Sequence, residues 1–186
     1  MKAKEKKSWF EIKANDAFEN KFLGEALAEE SKDLLNKRLE ISLPELYENS
    51  QRFFVKVIFK ILKVDEKGCT AYFDGHEIIR EYISHIVRKG VRRVDNNIVV
   101  QTKDGSKIRV KGLLLFSSRV SYQICKKARK IMEEIIVNVA KNNNIDDFAK
   151  LIIFGDLGKL IKERCEKLYP ISVVDIRKSE VISRTI

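Results

Sequence analysis

Hydrophobic periodicity in this chain changes once, near Phe116, and that change limits the folds open to it. Before Phe116 the apolar residues recur at every second position. "SWFEIKA" (Ser8–Ala14) alternates, and "RFFVKVIFKILKV" (Arg52–Val64) places Phe53, Val55, Val57, Phe59 and Ile61 on one face. Its other face carries Phe54, Ile58 and Leu62 interrupted by Lys56 and Lys60, the pattern of a strand buried on one side and half covered on the other. "DEKG" (Asp65–Gly68) turns the chain into a second strand, Cys69–Phe73, and Lys103–Gly105 joins "NIVVQT" to "KIRVKGLLLF" as another hairpin. Between the hairpins, Ile79, Ile83 and Ile86, with Tyr82 beside them, predict a short helix from Glu77 to about Arg88. After Phe116, Val120, Ile124, Ala128, Ile131, Ile135 and Val139 step by three or four, as on an amphipathic helix. "NNNIDD" (Asn142–Asp147) ends that helix and caps the next. One or two further helices run to Pro170, and "ISVVDIR" (Ile171–Arg177) is a last strand.

The expected fold class is therefore α+β, a curled, barrel-like antiparallel sheet flanked by C-terminal helices. The expected organisation is a basic tail (1–8), one globular domain (9–178) and a C-terminal tail (179–186). Within the domain, 9–116 is β-rich, 117–169 helical and 171–178 the final strand. No repeat and no phosphate-binding glycine loop occurs. The start lacks the apolar run of a secretory signal, and the longest apolar runs, such as Leu113–Phe116, fall far short of the roughly 20 residues of a membrane helix. A soluble, intracellular protein is expected. Cys69, Cys125 and Cys165, odd in number and widely spaced, read as reduced, packed thiols.

Charge is distributed unevenly. Of the net +10, the stretch Arg88–Lys130 holds 13 Lys/Arg against Asp95 and Asp104, a local +11, and the rest of the chain sums to −1. Solvated surfaces normally mix the two signs, so such a block points to a polyanion.

Both histidines lie in "GHEIIREYISHIVRKGVRRVD" (Gly75–Asp95), which opens like a zinc-peptidase helix. The second imidazole of that motif would stand at position 80, which is Arg80, and His85 falls on the opposite helix face. His76 is expected to cap the helix or bond locally, and His85 to be exposed. "FSSRVS" (Phe116–Ser121) lacks a nucleophile elbow, and the pairs Glu133/Glu134 and Asp146/Asp147 suit helix surfaces and caps. No catalytic residue, metal or cofactor is expected.

The basic residues group more coherently. "VRKGVRR" (Val87–Arg93) sets Arg88, Lys89, Arg92 and Arg93 around Gly90, which can close a helix in a left-handed turn. Lys107, Arg109 and Lys111 alternate on one strand face, with Ile108 and Val110 pointing inward. Arg119, Lys126, Lys127, Arg129 and Lys130 crowd the start of the long helix, where cations oppose the helix dipole and so serve something other than helix stability. With Arg80 and Lys103 these form the candidate RNA-binding set. Trp9, behind Lys2, Lys4, Lys6 and Lys7, is open to two readings, a base-stacking ring or a buried barrel aromatic.

Six stretches, in order, resemble the archaeal and eukaryotic small-subunit ribosomal protein family S-one-e (also S-three-a-e). They are "WFEIKANDAF", "LEISLPEL", Gly75–Asp95, "TKDGSKIRVK", "ARKIMEEII" and "YPISVVDIRKSEV". The chain departs from the family at Asn15, where proline is usual, at Arg88-Lys89-Gly90, where three arginines are usual, and at Ser172 and Val173, where basic residues are usual. The resemblance implies a structural, non-catalytic, cytoplasmic ribosomal protein on small-subunit ribosomal RNA. It also implies ribosomal protein neighbours and contact with initiation factors or messenger RNA near the exit site. The short chain, without a long charged tail, looks archaeal. The rival readings are an extra-ribosomal RNA-binding module or translation factor, and a metal-dependent hydrolase or nuclease.

Overall fold

The computed structural model describes residues 7–48, 50–65 and 68–185. The basic start at Lys2, Lys4 and Lys6 and the turn residues Glu66 and Lys67 lie outside the described residues. The chain divides into two compact units, one holding the chain up to Phe53 together with Val57–Asp74, the other Phe54–Lys56 together with the chain from Gly75 onward.

In the first unit, β1 (Ser8–Ala14) pairs antiparallel with β2 (Phe22–Ala28). It also pairs parallel with the start of β5 (Gly68–Ile78). β4 (Val55–Val64) pairs with β5 and with β3 (Arg38–Ser42), which leads into the one-turn helix α1 (Leu43–Leu46). The alternation in β4 is as expected from Val55 on, with Val55, Val57, Phe59 and Ile61 buried. Phe53 precedes the strand and is 70% exposed. Phe18 fills this core, edge-on to Phe59 at 5.3 Å and stacked on Phe73 at 6.2 Å.

In the second unit, the end of β5 pairs antiparallel with β8 (Ile171–Ser183), β8 with β7 (Lys107–Phe116), and β7 with β6 (Arg92–Gln101). β7 has strands on both sides. The run Leu113–Phe116 is fully buried, which is why it is apolar at consecutive positions instead of alternate ones. The helices are α2 (Arg80–Ile86), α3 (Tyr122–Asn142), α4 (Ile145–Phe154) and α5 (Asp156–Cys165).

The α+β class with C-terminal helices is as read from the sequence, with two differences in the sheet. The β1–β5 pair is parallel, so the sheet is mixed, and the path β2-β1-β5-β8-β7-β6 has two ends and does not close into a barrel. A parallel partner must come from a distant segment, since a tight turn joins only antiparallel neighbours. Residues 179–183, expected as tail, extend β8.

The helices differ in detail. α2 starts at Arg80 because Glu77 and Ile78 belong to β5. Ile79, Ile83 and Ile86 are only half buried, while Tyr82 stacks on Phe54 at 3.6 Å. In α3 the buried stripe is Cys125, Ala128, Met132, Ile136 and Ala140, rotated about one residue from the expected row. α3 packs on both β6 and α5, so its contact face is broad, and the small residues take the closest approach. There the Cys165 thiol lies 4.0 Å from the Ala128 carbonyl. All three cysteines are free and buried, and burial pushes the Cys165 thiol up to about 11.

Candidate nucleic-acid interface

The Gly-His-Glu stretch is a seam between strands. His76 lies in β5, fully buried, and its partners are about a hundred residues away, which corrects the expectation of a helix cap or local bond. The Ile176 carbonyl can only accept, so Nε2 carries the hydrogen and donates to it at 2.8 Å. Nδ1 then accepts from Ser179 Oγ at 2.6 Å, and Ser179 Oγ accepts from the His76 backbone N–H at 3.2 Å. Gly75 faces the Ser179 carbonyl so closely that a Cβ would overlap it. Glu77 accepts from Lys178 Nζ at 3.0 Å. All three residues therefore face β8, and no group of three potential metal ligands occurs among the described residues. His85 is exposed, as expected, and Arg88 donates to its carbonyl at 3.2 Å.

The block of cations is sorted by the β6–β7 hairpin. Arg92 pairs with Phe116 and Gln101 with Lys107 in register, so the two ends of the hairpin stand roughly 30 Å apart. The open end receives Arg88 and Lys89 from the α2–β6 loop, Arg92 and Arg93 from β6, Arg119 from the β7–α3 connection, and the start of α3. Gly90 adopts φ +102° in that loop, four residues past the end of α2, so it shapes the turn into β6 and does not end the helix. The turn end carries Lys103 and Lys107.

Neighbouring acids divide the set again. Arg93 is held by Asp95 through two bonds of 2.7 and 2.8 Å, which raises its pKa. Lys107, Arg109 and Lys111 share one face, with Ile108 and Val110 fully buried, as expected. Arg109 and Lys111, however, each lie 3.6 Å from Glu180 of β8, and Lys178 lies 3.3 Å from it. Burial would raise the Glu180 carboxyl, but the hydrogen bond from Lys178 and the surrounding cations outweigh it and hold it below the usual range. Lys178 is raised, chiefly by its hydrogen bond to Glu77. Arg129 donates to the Asp95 carbonyl at 3.0 Å, and Lys130 reaches Glu134 at 4.0 Å.

Arg80, Lys89, Arg92, Lys103, Lys107, Arg119, Lys126 and Lys127 are exposed and have no acidic partner among the described residues. The turn itself is built around Asp104, which accepts from Thr102, from Ser106 Oγ at 3.3 Å and from the Ile145 N–H at 3.4 Å. Burial would raise this carboxyl, and the hydrogen bonds lower it further than burial raises it. Asp104 thus ties the hairpin tip to the start of α4 while the Lys103 side chain points to solvent.

Three residues outside the candidate set also stand at this surface, Lys178, Glu180 and Tyr122. Lys178 and Glu180 join the strand face only because β8 pairs with β7, which no local pattern announces. Tyr122, 67% exposed at the start of α3, stands four residues before Lys126, a spacing that was legible. Trp9 is 66% exposed on β1, so it is not a buried barrel aromatic.

The α+β scaffold therefore gathers, on loops, a strand end and a helix start, exposed cations that have no acidic partner among the described residues. The chain belongs to the ribosomal S3Ae family, whose sequence profile matches residues 2–185. It is 35% identical to the small ribosomal subunit protein eS1 of Methanopyrus kandleri, over 95% of this chain and 85% of that protein. It is 34% identical to the protein of the same name from Methanocaldococcus jannaschii, over 95% of this chain and 80% of that protein. The eS1 of Sulfurisphaera tokodaii is 32% identical, with 95% and 91% covered.

Proposed function

We propose that this chain is a structural, non-catalytic constituent of an archaeal-type small ribosomal subunit in the cytoplasm. It holds ribosomal RNA against a folded scaffold by neutralising phosphates. The observation that carries this reading is the group of exposed cations at the open end of the β6–β7 hairpin, above all Arg92, Arg119, Lys126 and Lys127, which have no acidic partner among the described residues. Lysine and arginine facing A-form RNA engage phosphate and shape more than base edges, so these contacts position the RNA without reading sequence. Arg109 and Lys111, already shared with Glu180, contribute less than Lys107 beside them. The family resemblance extends the reading to ribosomal protein neighbours, and to initiation factors and messenger RNA near the exit site.

The test is incorporation. Arg92→Glu with Arg119→Glu lowers the occupancy of the chain in sedimented small subunits, while the unaltered chain stays bound in high salt. Unchanged occupancy of the double variant would refute the assignment of the surface. Release of the unaltered chain in moderate salt would favour an extra-ribosomal RNA-binding module or translation factor.

A further inference from the structure

We infer that Tyr122 is a stacking platform for an unpaired RNA base, set among cations that hold the flanking phosphates. The inference rests on the RNA-binding reading above and specifies what part of the RNA this end of α3 takes.

Three observations converge on Tyr122. Its ring is 67% exposed at the first residue of α3 and has no ring or hydrogen-bond partner among the described residues, so packing does not account for it. It shares a helix ridge with Lys126 and Arg129, four and seven residues on, and Gln123, Lys127 and Lys130 form the adjacent row. These side chains, with Glu133, line a surface groove. The first turn of α3 contains no acid, and Glu133 is the first carboxylate along the helix.

The chemistry of this set fits a nucleotide. Lys126 is about one helical turn, roughly 5.4 Å, from Tyr122, so an ammonium and an aromatic face lie within the span of one nucleotide. The lysine stems wall the groove with methylenes while their heads reach phosphate. An intact A-form helix buries both faces of its bases, so the ring can stack only on a base that is splayed out in a loop, bulge or single strand. An apolar protein surface laid on the same groove would strip water from Lys126, Lys127 and Lys130 without compensating their charge.

The experiment compares two RNA probes with the full chain at low salt: a 12-nucleotide oligoadenylate and a 12-base-pair RNA duplex. Dissociation constants are measured for the unaltered protein and for Tyr122→Ala, Tyr122→Phe and Tyr122→Leu. Stacking on one base predicts that Tyr122→Ala weakens oligoadenylate binding by roughly 5- to 150-fold and leaves the duplex within about twofold. Tyr122→Phe retains the affinity, and Tyr122→Leu, which keeps apolar area but has no π-face, does not. Equal losses on both probes, no loss on either, or rescue by leucine would each overturn the stacking role. If the unaltered protein binds neither probe, the RNA-binding reading itself fails, a result distinct from any of these.

Discussion

Replacing Gly75 by alanine tests the seam that the Gly-His-Glu stretch forms with β8. A Cβ at position 75 would overlap the Ser179 carbonyl oxygen and come within 3.2 Å of the Ser179 carbonyl carbon and 3.5 Å of Glu180 Cα. All of these are backbone atoms, so no rotamer change relieves the clash and the strands themselves must part. Within β5, among the described residues, only Gly75, His76 and Glu77 pair with β8, so little of the β5–β8 ladder is available to absorb the displacement. Moving Ser179 also stretches its 2.6 Å contact with the buried His76 ring. Overpacking costs about 1–3 kcal/mol. A buried hydrogen bond left unmade adds about 1–3 kcal/mol. The sum, roughly 2–6 kcal/mol, is a large part of the ~5–15 kcal/mol that holds a domain folded. For a chain of this size each kcal/mol moves Tm by about 2–4 °C, so a fall of roughly 5–20 °C is expected in a thermal melt followed by circular dichroism. Gly112→Ala is the matched control. Its Cβ would meet the Met132 Cε at 2.8 Å, the far end of a flexible side chain that can swing away, so its loss stays near the low end of the overpacking range. A Gly75→Ala protein melting within about 2 °C of the unaltered chain, or no less stable than Gly112→Ala, would refute the seam. Addition of zinc or EDTA leaves both melts unchanged if the stretch carries no metal.

Other predictions follow from the charge network and the hairpin tip. Glu180→Gln releases Arg109 and Lys111 for phosphate while Lys178 stays on Glu77, so RNA affinity rises at low salt and the slope of log K against log salt steepens by up to roughly 0.7–0.9 per added phosphate contact. An unchanged slope in a filter-binding salt series would show that this strand face does not touch RNA. Asp104 is held below its ordinary range, so it contributes stability at pH values above its unfolded pKa, near 4, and loses that contribution as pH falls through its lower folded value. Asp104→Asn therefore lowers Tm at pH 7, and the gap to the unaltered chain narrows below about pH 4; a gap independent of pH would mean the carboxylate charge is not what the tip uses.

Features that depend only on near neighbours in the chain are legible in the residues alone. Period-two alternation placed β1 at Ser8–Ala14 and the buried face of β4. The Asp-Gly turn joins β6 to β7, and the imbalance of charge marks the basic block. These patterns are legible because side-chain direction repeats with the backbone, and a turn needs only its own few residues. Tertiary structure decided everything that depends on partners far away in the chain. It turned His76 from an apparent helix residue into a buried strand residue bonded to Ser179 and Ile176, and it rotated the buried stripe of α3 toward two neighbours at once. It also set Glu180 among Arg109, Lys111 and Lys178, and left Arg92, Arg119, Lys126 and Lys127 among the exposed cations that have no acidic partner among the described residues. The reason is physical. A charge binds phosphate according to which opposite charges already surround it, and strand register, not sequence spacing, sets that neighbourhood.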